Sequence, residues 1–430
     1  MSRCFEKNNL LLERAEKVIP LGSQTFSKSY LNFIKGAYPL FLDRGEGCRV
    51  WDVDGNEYID FLLALMPVVL GYCDPDVNQA ITNQLQKGIS FSFSTELESI
   101  LAEKLIQIIP SAEMVRFGKN GSDATAGAMR VARAHTGREK IASCGYHAWH
   151  DWYIASTPFS LGVPECEKGL ISKFIYNDLD SLEDLLRRDS GGYAAVILEP
   201  ANVVDPKEGF LEGVRDLTHK YGALLVFDEI VSGWRTGLGG AQSYYGVTPD
   251  LSCFGKAMGN GMPISALVGQ RKYMKTVEKV FLSSTFGGET LSIAASIAVI
   301  DKMSRLNVPD VMHRTARILK NDINDAMRDA GVQDYLEIGG VDWWPRIIFK
   351  NTGAADIMLA TSLLRQELAE AGIIHGAGIS MCYAHCLGDE PKEIVKRWKV
   401  TLDAYKEAIS SNSPSTYLRG EVMCPPYQVR

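Results

Sequence analysis

An apolar segment that ends in two acids is the first candidate for chemistry in this sequence. The segment YGALLVFDEIVSGWRTG passes through a run of apolar residues and then reaches Asp228 and Glu229. In open α/β sheets the carboxyl ends of the strands line the ligand crevice, so a carboxylate there is aimed at a ligand more often than at solvent. The alternative is an aspartate that only caps the following helix.

A lysine framed by glycines follows the next apolar segment. In PDLSCFGKAMGNGMPISALVG, Lys256 lies directly after Gly255 and shortly before Gly259 and Gly261. Glycines let a bulky group approach the backbone closely, and partial burial reduces the charge of an amine. Such an amine can attack a carbonyl and form a Schiff base. Taken alone the GK pair is a weak signal, because most lysines are solvated.

A third motif predicts a site for an anion. The segment MVRFGKNGSDATAGAMRVARAHTG indicates a strand, a turn at Asn120 and Gly121, and a helix that begins with Ser122 and Asp123. The first N–H groups of a helix attract anions, and a glycine there lets a phosphate reach the backbone. The alternative is a capping box without a ligand. The GxxxxGK[ST] order of a Walker motif is absent.

These motifs need strands that end at a common edge, and the hydrophobic pattern supplies them. Short aliphatic runs alternate with helix-like stretches in the central part of the chain. The strand candidates are 194–198, 223–227 and 267–269, and the helix candidates are 122–135, 211–221 and 291–303. Apolar strands that alternate with helices predict a mainly parallel sheet covered on both faces, and therefore an α/β domain.

The pattern changes after residue 325. One strand candidate, 345–349, precedes two long helix candidates at 357–371 and 391–410. This part is typical of a smaller α+β domain. The N-terminal stretch is expected to join it, because 38–59 reads as short strands around the turn in VDGNEY.

Length, composition and charge exclude several classes of protein. The chain has 430 residues, of which 46% are hydrophobic and 23% charged, which is typical of a folded chain of two or three domains. The 45 basic and 52 acidic residues give a net charge of −7, so neither nucleic acid nor a membrane surface is an expected partner. The longest apolar run, 61–70, is ten residues and contains Pro67, too short for a membrane span. Charges interleaved with leucines at the N-terminus favour a cytoplasmic location.

The cysteines favour a reducing compartment. There are nine of them, an odd number, and they form no CxxC pair, so reduced thiols are expected. Cys382, Cys386 and His385 suggest a metal site at first sight. No second cluster supplies further ligands at the spacing of a structural zinc site, so no metal is predicted.

A set of segments in a fixed order resembles one enzyme family. The segments are WDVDGNEYIDF, NGSDA, GYHAWHD, ILEP, FDEI, the GK of FGKAMGNGMP, and STFGGE. They resemble pyridoxal-phosphate enzymes of fold type I, specifically class III aminotransferases and the branch of glutamate-1-semialdehyde aminomutase. The resemblance extends over nearly the whole chain. It implies a mainly parallel seven-stranded sheet flanked by helices in a large domain at 61–325, a small α+β domain at 326–430, and a segment at 1–60 that packs with the small domain.

The resemblance also implies roles for single residues around the cofactor. Lys256 would hold pyridoxal 5′-phosphate as a Schiff base, and Asp228 would pair with the pyridine nitrogen. A carboxylate there keeps the nitrogen protonated, so that the ring accepts electrons when the substrate Cα–H bond breaks. Tyr146 would cover one face of the ring and Ile230 the other. For Tyr146 the alternative is packing in the core.

Five further residues are assigned by the same resemblance. Gly121 and Ser122 match the phosphate-binding turn, and Thr285 matches a threonine that reaches the phosphate of the neighbouring subunit's cofactor. A homodimer with shared active sites follows from that last match. Glu199 and Asn202 would lie near the ring hydroxyl and the substrate, although the family usually spaces the asparagine differently.

The implied reaction has two halves, with pyridoxamine phosphate as the form between them. An amino donor leaves its amino group on the cofactor, and a carbonyl acceptor then takes it up. Three departures argue against glutamate 1-semialdehyde as the substrate: Lys28 stands in place of an arginine, GIIHGAGISMCYAH is short and lacks an acidic residue, and NGSDA replaces SGTEA.

The sequence therefore predicts amino-group transfer to a ketone or aldehyde, for instance a keto-sugar or a cyclic keto compound used in amino-sugar, surface-polysaccharide or secondary-metabolite synthesis. Candidate substrate residues are Lys28, His147, Trp149, His150, Trp152 and His375, with core or surface roles as the alternative. An intramolecular aminomutase, another fold type I reaction and a non-catalytic binding role stay open. The presence of both Lys256 and Asp228 argues against the binding role.

Overall fold

The computed structural model describes residues 3–376 and 378–425. The chain forms two compact units, one within Met1–Asp74 and Asp310–Gln428, the other within Pro75–Pro309. The domain boundaries predicted at 60/61 and 325/326 stay predictions. None of the helices in the described ranges combines the length and the apolar character that a membrane crossing requires.

The strands and helices follow the alternation expected from the hydrophobic pattern. The strands are β1 (Leu42–Glu46), β2 (Arg49–Asp52), β3 (Glu57–Asp60), β4 (Met114–Gly118), β5 (Lys140–Cys144), β6 (Ile171–Lys173), β7 (Tyr193–Leu198), β8 (Leu224–Asp228), β9 (Leu251–Phe254), β10 (Ser265–Gly269), β11 (Leu336–Gly339), β12 (Arg346–Phe349) and β13 (Ile373–Ile374). The helices are α1 (Glu6–Glu16), α2 (Pro75–Leu85), α3 (Glu96–Ile108), α4 (Gly121–Thr136), α5 (Asp151–Ile154), α6 (Glu165–Lys168), α7 (Leu179–Arg188), α8 (Phe210–Lys220), α9 (Gly240–Tyr245), α10 (Arg271–Met274), α11 (Thr290–Leu306), α12 (Val308–Ala330), α13 (Ile357–Glu370) and α14 (Glu390–Ser410).

A seven-stranded sheet forms the centre of the unit within Pro75–Pro309. Its order is β4-β10-β9-β8-β7-β5-β6, and only β10 runs antiparallel to its neighbours. Strand β7 shows how both faces are covered: Ala195 and Ile197 pack in the cluster that contains α4, whereas Val196 and Leu198 pack in the cluster that contains α7 and α8. Side chains alternate across a strand, so a continuous apolar run serves two helical layers. The predicted mainly parallel seven-stranded sheet is confirmed.

The carboxyl ends of β4, β5, β7, β8 and β9 lie at one edge of this sheet. Strand β10 begins at the same edge, because it is antiparallel and Ser265 pairs with Gly118 at the end of β4. The segments that follow these strands therefore meet at this edge, which we call the carboxyl edge. All three motifs singled out in the sequence lie there.

The other unit contains the sheet β1-β2-β3-β13 and the hairpin of β11 and β12. The turn in VDGNEY joins β2 to β3, and Asp52 Oδ1 accepts from the backbone N–H of Asp54 and Asn56 at 3.0 and 2.8 Å. Strand β13 is only two residues long and pairs parallel with β3. The sequence pattern missed this strand because two residues carry no periodicity, and it also missed β11.

Candidate active site

Asp228, the last residue of β8, is held in one orientation by a buried histidine. It is 3% exposed, and its Oδ2 lies 2.8 Å from Nδ1 of His147, which is 2% exposed. The other oxygen, Oδ1, accepts from the backbone N–H of Ile230 at 3.1 Å. Within the described part of the chain, Nε2 of His147 has no hydrogen-bond partner. Hydrogen bonds thus hold both carboxylate oxygens of Asp228 in place, one from a side chain and one from the backbone.

The neighbouring acid, Glu229, has a different and internal role. It is fully buried and accepts hydrogen bonds from Ser232 Oγ at 2.5 Å and from the backbone N–H of Ala241 and Gln242 at 2.8 and 2.9 Å. Burial raises the pKa of the Glu229 carboxyl despite these bonds. Glu229 therefore anchors the start of α9, and of the two acids in FDEI only Asp228 takes part in the cluster described here.

Lys256 follows β9 and stands in an unusual backbone conformation. Its φ is 38°, in the left-handed region that residues with a Cβ seldom adopt. Gly255 before it is extended, with a φ of −176°. The strand therefore ends abruptly, and the half-buried Lys256 lies just beyond the carboxyl edge. A non-glycine residue in this region costs about 1–3 kcal/mol, and such strained residues cluster at active sites.

The turn that opens α4 lies against the residues that follow β8 and β9. A Cβ placed on Gly121 would be 2.5 Å from Cδ1 of Ile230, so any larger residue there would require the Ile230 side chain to move. A Cβ placed on Gly255 would lie 3.8 Å from Cα of Gly121 and 3.8 Å from Cγ1 of Ile230. In the described chain, no hydrogen bond engages the backbone N–H of Gly121 or Ser122. The turn thus offers two N–H donors at a helix start, which suits an anion.

Tyr146, Glu199 and Asn202 form a second cluster at the same edge. Oε2 of Glu199 accepts from the backbone N–H of Tyr146 at 3.2 Å and from Nδ2 of Asn202 at 2.9 Å. Gly145 has a φ of 109°, and a Cβ there would lie 2.6 Å from Oε2 of Glu199. The ring of Tyr146 makes an edge contact with Tyr153 at 5.6 Å between centroids. Because Tyr146 adjoins His147 along the chain, this cluster is continuous with that of Asp228.

The structure therefore brings together most of the residues predicted for the site. Those at the carboxyl edge are Gly121, Ser122, Tyr146, His147, Glu199, Asn202, Asp228, Ile230 and Lys256. Together they offer donors for an anion, an oriented carboxylate, a lysine amine, and an aromatic and an aliphatic side chain. This set suits a flat heterocycle that carries both a phosphate and a carbonyl.

Four other predicted residues, Thr285, Trp149, His150 and Trp152, take no part in these hydrogen-bonded clusters, although the ring of Trp152 stacks on that of His147 at 6.5 Å between centroids. Thr285 is exposed and makes no hydrogen bond to any described residue. Trp149 is 68% exposed and stacks edge-on with His150 at 4.8 Å, whereas Trp152 is 7% exposed and packs in the core beside α4. The structure therefore favours the alternative for Trp152, a role in core packing. None of these four residues contacts the clusters of Asp228 or Glu199 through a described hydrogen bond.

Lys28 and His375 belong to the unit within Met1–Asp74 and Asp310–Gln428. Lys28 is exposed at the end of a short helical turn. His375 is 3% exposed, burial lowers its pKa to about 3, and its backbone N–H donates to Tyr38 Oη at 3.2 Å. Their substrate roles stay predictions. In the same unit Cys382 Sγ lies 3.1 Å from His385 Nδ1, and no group of three or more potential metal ligands occurs among the described residues.

Sequence reasoning missed two residues that shape the site. The hydroxyl of Thr125 donates to the backbone carbonyl of His147 at 2.9 Å, which fixes the segment after β5 on α4. Ser265 is fully buried, its Oγ has no partner in the described ranges, and a Cβ on Gly118 would lie 2.8 Å from it. The threonine in NGSDAT was visible one turn into the helix, whereas nothing in the sequence marks Ser265.

Comparison with known protein families gives one consistent result. The sequence model described as "Aminotransferase class-III" matches residues 32–341. The 3-aminobutyryl-CoA aminotransferase of Cloacimonas acidaminovorans is 42% identical over 388 residues, which are 87% of this chain and 92% of the relative. The glutamate-1-semialdehyde 2,1-aminomutase of Desulforamulus reducens is 38% identical over 352 residues, 77% of this chain and 81% of the relative.

Solved structures agree on the architecture. The FumI protein of Sphingopyxis sp. MTA144, solved with PLP, has a TM-score of 0.88 and 28% identity, covering 96% of this chain and all 100% of that one. An omega-transaminase from Sphaerobacter thermophilus has a TM-score of 0.84 and 27% identity, covering 92% of this chain and 97% of that one. The resemblance stated from the sequence motifs is confirmed.

Proposed function

This chain belongs to the class III aminotransferase family, and we propose that it moves an amino group from an amino-acid donor to a ketone or aldehyde acceptor. Enzymes of this class use pyridoxal 5′-phosphate. One observation carries the proposal: a lysine, an oriented buried carboxylate and an open helix start converge at one edge of the sheet. A site for binding alone would need neither the lysine nor the carboxylate.

The residues at the carboxyl edge fit this cofactor. The backbone N–H groups of Gly121 and Ser122 would hold the phosphate, since they lack partners in the described structure and no Cβ obstructs them. Asp228 would pair with the ring nitrogen. Tyr146 and Ile230 would contact the two faces of the ring.

Each side chain then has a definite task in the proposed reaction. The cofactor, when bound, supplies an acceptor for the electrons released as the substrate Cα–H bond breaks. Asp228 favours a positive ring nitrogen by its charge, and His147 keeps that carboxylate oriented. Nζ of Lys256 would take the proton from the substrate carbon and deliver it to the carbon of the cofactor that receives the amino group. Glu199 and Asn202 would orient the ring hydroxyl and the substrate from the neighbouring cluster.

The proposal includes a homodimer with shared sites. Thr285 stands between two exposed aromatic residues, Phe281 and Phe286, which are 83% and 56% exposed. The backbone N–H of Thr290 donates to the carbonyl of Ile89 at 2.9 Å, so this segment adjoins another exposed run that contains Phe91 and Phe93. Contiguous exposed apolar surface of this kind is typical of protein interfaces. A second copy would cover it and receive Thr285 at its phosphate.

Two acceptor classes are proposed for testing. The first is a keto-sugar or cyclic ketone, because the sequence departs from the aminomutase at positions expected to hold its substrate, Lys28 among them. The second is an acyl thioester with a β-carbonyl, because the 42% identical relative is named for 3-aminobutyryl-CoA. Trp149 is exposed three residues beyond Tyr146 and is the candidate for contact with the apolar part of a substrate.

An intramolecular aminomutase is the alternative function, since relatives with that name reach 38% identity. A cytoplasmic location also stays part of the proposal. It is supported by the cysteines, all nine of which are free thiols.

A half-reaction tests the proposed activity. The holoenzyme is mixed with single amino donors while the visible cofactor band and the released oxo acid are measured. We expect loss of the band with formation of one oxo acid per site, and return of the band on adding an acceptor from a panel of keto-sugars, cyclic ketones and β-oxoacyl-CoA thioesters. Spectra that no donor changes would revive the binding role. Turnover of glutamate 1-semialdehyde without release of an oxo acid would favour the aminomutase.

A further inference from the structure

The segment 281–289, which ends where α11 begins, is attached to β4 and α4 by basic side chains. Arg130 Nη1 donates to the carbonyl of Phe281 at 3.3 Å. Arg116 donates to the carbonyl of Leu282 twice, from Nε at 3.0 Å and from Nη2 at 2.7 Å. One end of the segment is therefore fixed to the edge strand of the sheet and to the helix that opens with the phosphate turn.

An ion pair between Lys119 and Glu289 fixes the other end. Nζ of Lys119 lies 2.8 Å from Oε2 of Glu289, and the two side chains are only 17% and 11% exposed. Glu289 also caps α11 by accepting from the backbone N–H of Leu291 at 2.7 Å. Burial alone would raise the pKa of the Glu289 carboxyl, but these bonds hold it below its usual range. The pair is thus part of an ordered network and is more than a mobile surface contact.

Lys119 belongs to the phosphate turn by its backbone and to the 281–289 segment by its side chain. Its backbone N–H and that of Asn120 both donate to Oδ2 of Asp123 at 2.8 Å, directly before α4 opens at Gly121. Between the two attached ends of the segment, Thr285 is exposed. Lys119 therefore links the phosphate turn of its own chain to the segment that carries the exposed Thr285 of the same chain.

We propose that Lys119 and Glu289 are positioning residues for the cofactor phosphate, and that they act on the partner's site through Thr285. This inference rests on the proposed dimer with shared sites. Without the ion pair the 281–289 segment would be less ordered, so it would lose more conformational entropy when Thr285 contacts a phosphate. That contact would therefore be weaker. The pair holds the segment in place beforehand, and its loss weakens cofactor binding in the partner without altering the chemistry at Lys256.

Single variants test the positioning role. Apoenzyme carrying Lys119→Met or Glu289→Gln is titrated with pyridoxal phosphate, and binding is measured by visible absorbance. Glutamine keeps an oxygen for capping α11. We expect the affinity for pyridoxal phosphate to fall roughly two- to thirtyfold, which is the usual size of an effect transmitted through neighbouring side chains. The kcat at saturating cofactor should not change. Lys119→Arg should retain affinity. Arg305→Gln breaks the exposed pair between Arg305 of α11 and Asp76 of α2, and it should have no effect.

Hybrid dimers test whether the effect crosses to the partner. In the first hybrid one protomer carries Lys256→Ala and its partner Glu289→Gln. In the second, one protomer carries both changes and its partner is wild type. Only one site in each hybrid retains Lys256, so the visible band reports that site alone. We expect normal cofactor release in the first hybrid and faster release in the second.

Each outcome decides a separate point. The reverse pattern would show that the pair acts on its own chain's site, and it would overturn the inference while leaving the dimer intact. Unchanged affinity in both single variants would overturn it as well. Normal cofactor binding by a chain that sediments as a monomer would instead overturn the shared-site dimer, and the inference with it.

Discussion

His147 and Asp228 form a buried pair, with 2.8 Å between Nδ1 and Oδ2, although they lie 81 positions apart in the chain. The hydroxyl of Thr125 binds the backbone of His147 from α4, so the histidine is fixed at its main chain as well as at its ring. The orientation of the Asp228 carboxylate is therefore set by β5 and α4 together with its own strand. We therefore expect His147 to act as a positioning residue for the carboxylate that is proposed to pair with the cofactor.

Replacing the histidine should slow catalysis without removing the cofactor. We expect His147→Phe to lower the single-turnover rate with an amino donor roughly 10- to 100-fold, the range typical of groups that orient a catalytic ligand. Stopped-flow decay of the visible band measures this rate. His219→Phe serves as the matched control, because His219 pairs with Asp250 at the opposite edge of the sheet. Equal rates in the two variants would refute the positioning role.

Neutralising the carboxylate should have a larger effect. Asp228→Asn should retain most cofactor binding but slow proton abstraction by orders of magnitude, because an amide stabilises a positive ring nitrogen poorly. Asp250→Asn is a close control: Asp250 also pairs with a histidine, His219 at 2.9 Å, but directly before β9, at the opposite edge of the sheet. A wild-type single-turnover rate in Asp228→Asn would remove Asp228 from the mechanism.

The backbone of Lys256 allows activity and strain to be separated. Both Lys256→Ala and Lys256→Gly should abolish turnover and the reducible chromophore at this position. Since φ is 38°, glycine should relieve strain that alanine retains, making the apoprotein of Lys256→Gly more stable by about 1 kcal/mol. Urea unfolding of the two apoproteins measures the difference. Turnover by Lys256→Ala at the wild-type rate would contradict the catalytic assignment.

The contact of Gly121 with Ile230 predicts a rescue. Gly121→Ala places a Cβ 2.5 Å from Cδ1 of Ile230, so we expect loss of cofactor affinity and a destabilisation of about 1–3 kcal/mol from overpacking. Adding Ile230→Val removes the clashing carbon and should restore part of both. Cofactor titration and thermal unfolding measure the two effects. If the double variant binds no better than Gly121→Ala alone, steric exclusion is not the reason for the glycine.

Complementation between two inactive variants tests the shared site. Lys256→Ala and Thr285→Glu chains are mixed under conditions of verified exchange. Random mixing makes roughly half of the dimers hybrids with one intact site, so activity per subunit should approach about a quarter of wild type. Each variant alone is the control and should be inactive while folded. No recovery would show that Thr285 does not serve a partner.

Local patterns were sufficient to predict the strand ends and the chemistry they carry. The apolar run before Asp228 and the Asn-Gly turn before α4 are short-range signals, and side-chain alternation and capping act over a few residues. The mainly parallel sheet followed from the same signals, because strands that alternate with helices have few other ways to bury both faces. The family model over residues 32–341 confirms the resemblance, and five of its seven motifs lie at the ends of strands of the seven-stranded sheet.

Tertiary structure alone decided which neighbour each of these residues meets. Sequence spacing did not separate Asp228 from Glu229, because their difference lies in His147 for one and the start of α9 for the other. Lys119 and Glu289 are 170 positions apart, and β13 exists only because β3 supplies its hydrogen bonds. Contacts between distant segments depend on how strands are ordered in the sheet and how helices pack on it, and residue types at short spacing carry no record of that order.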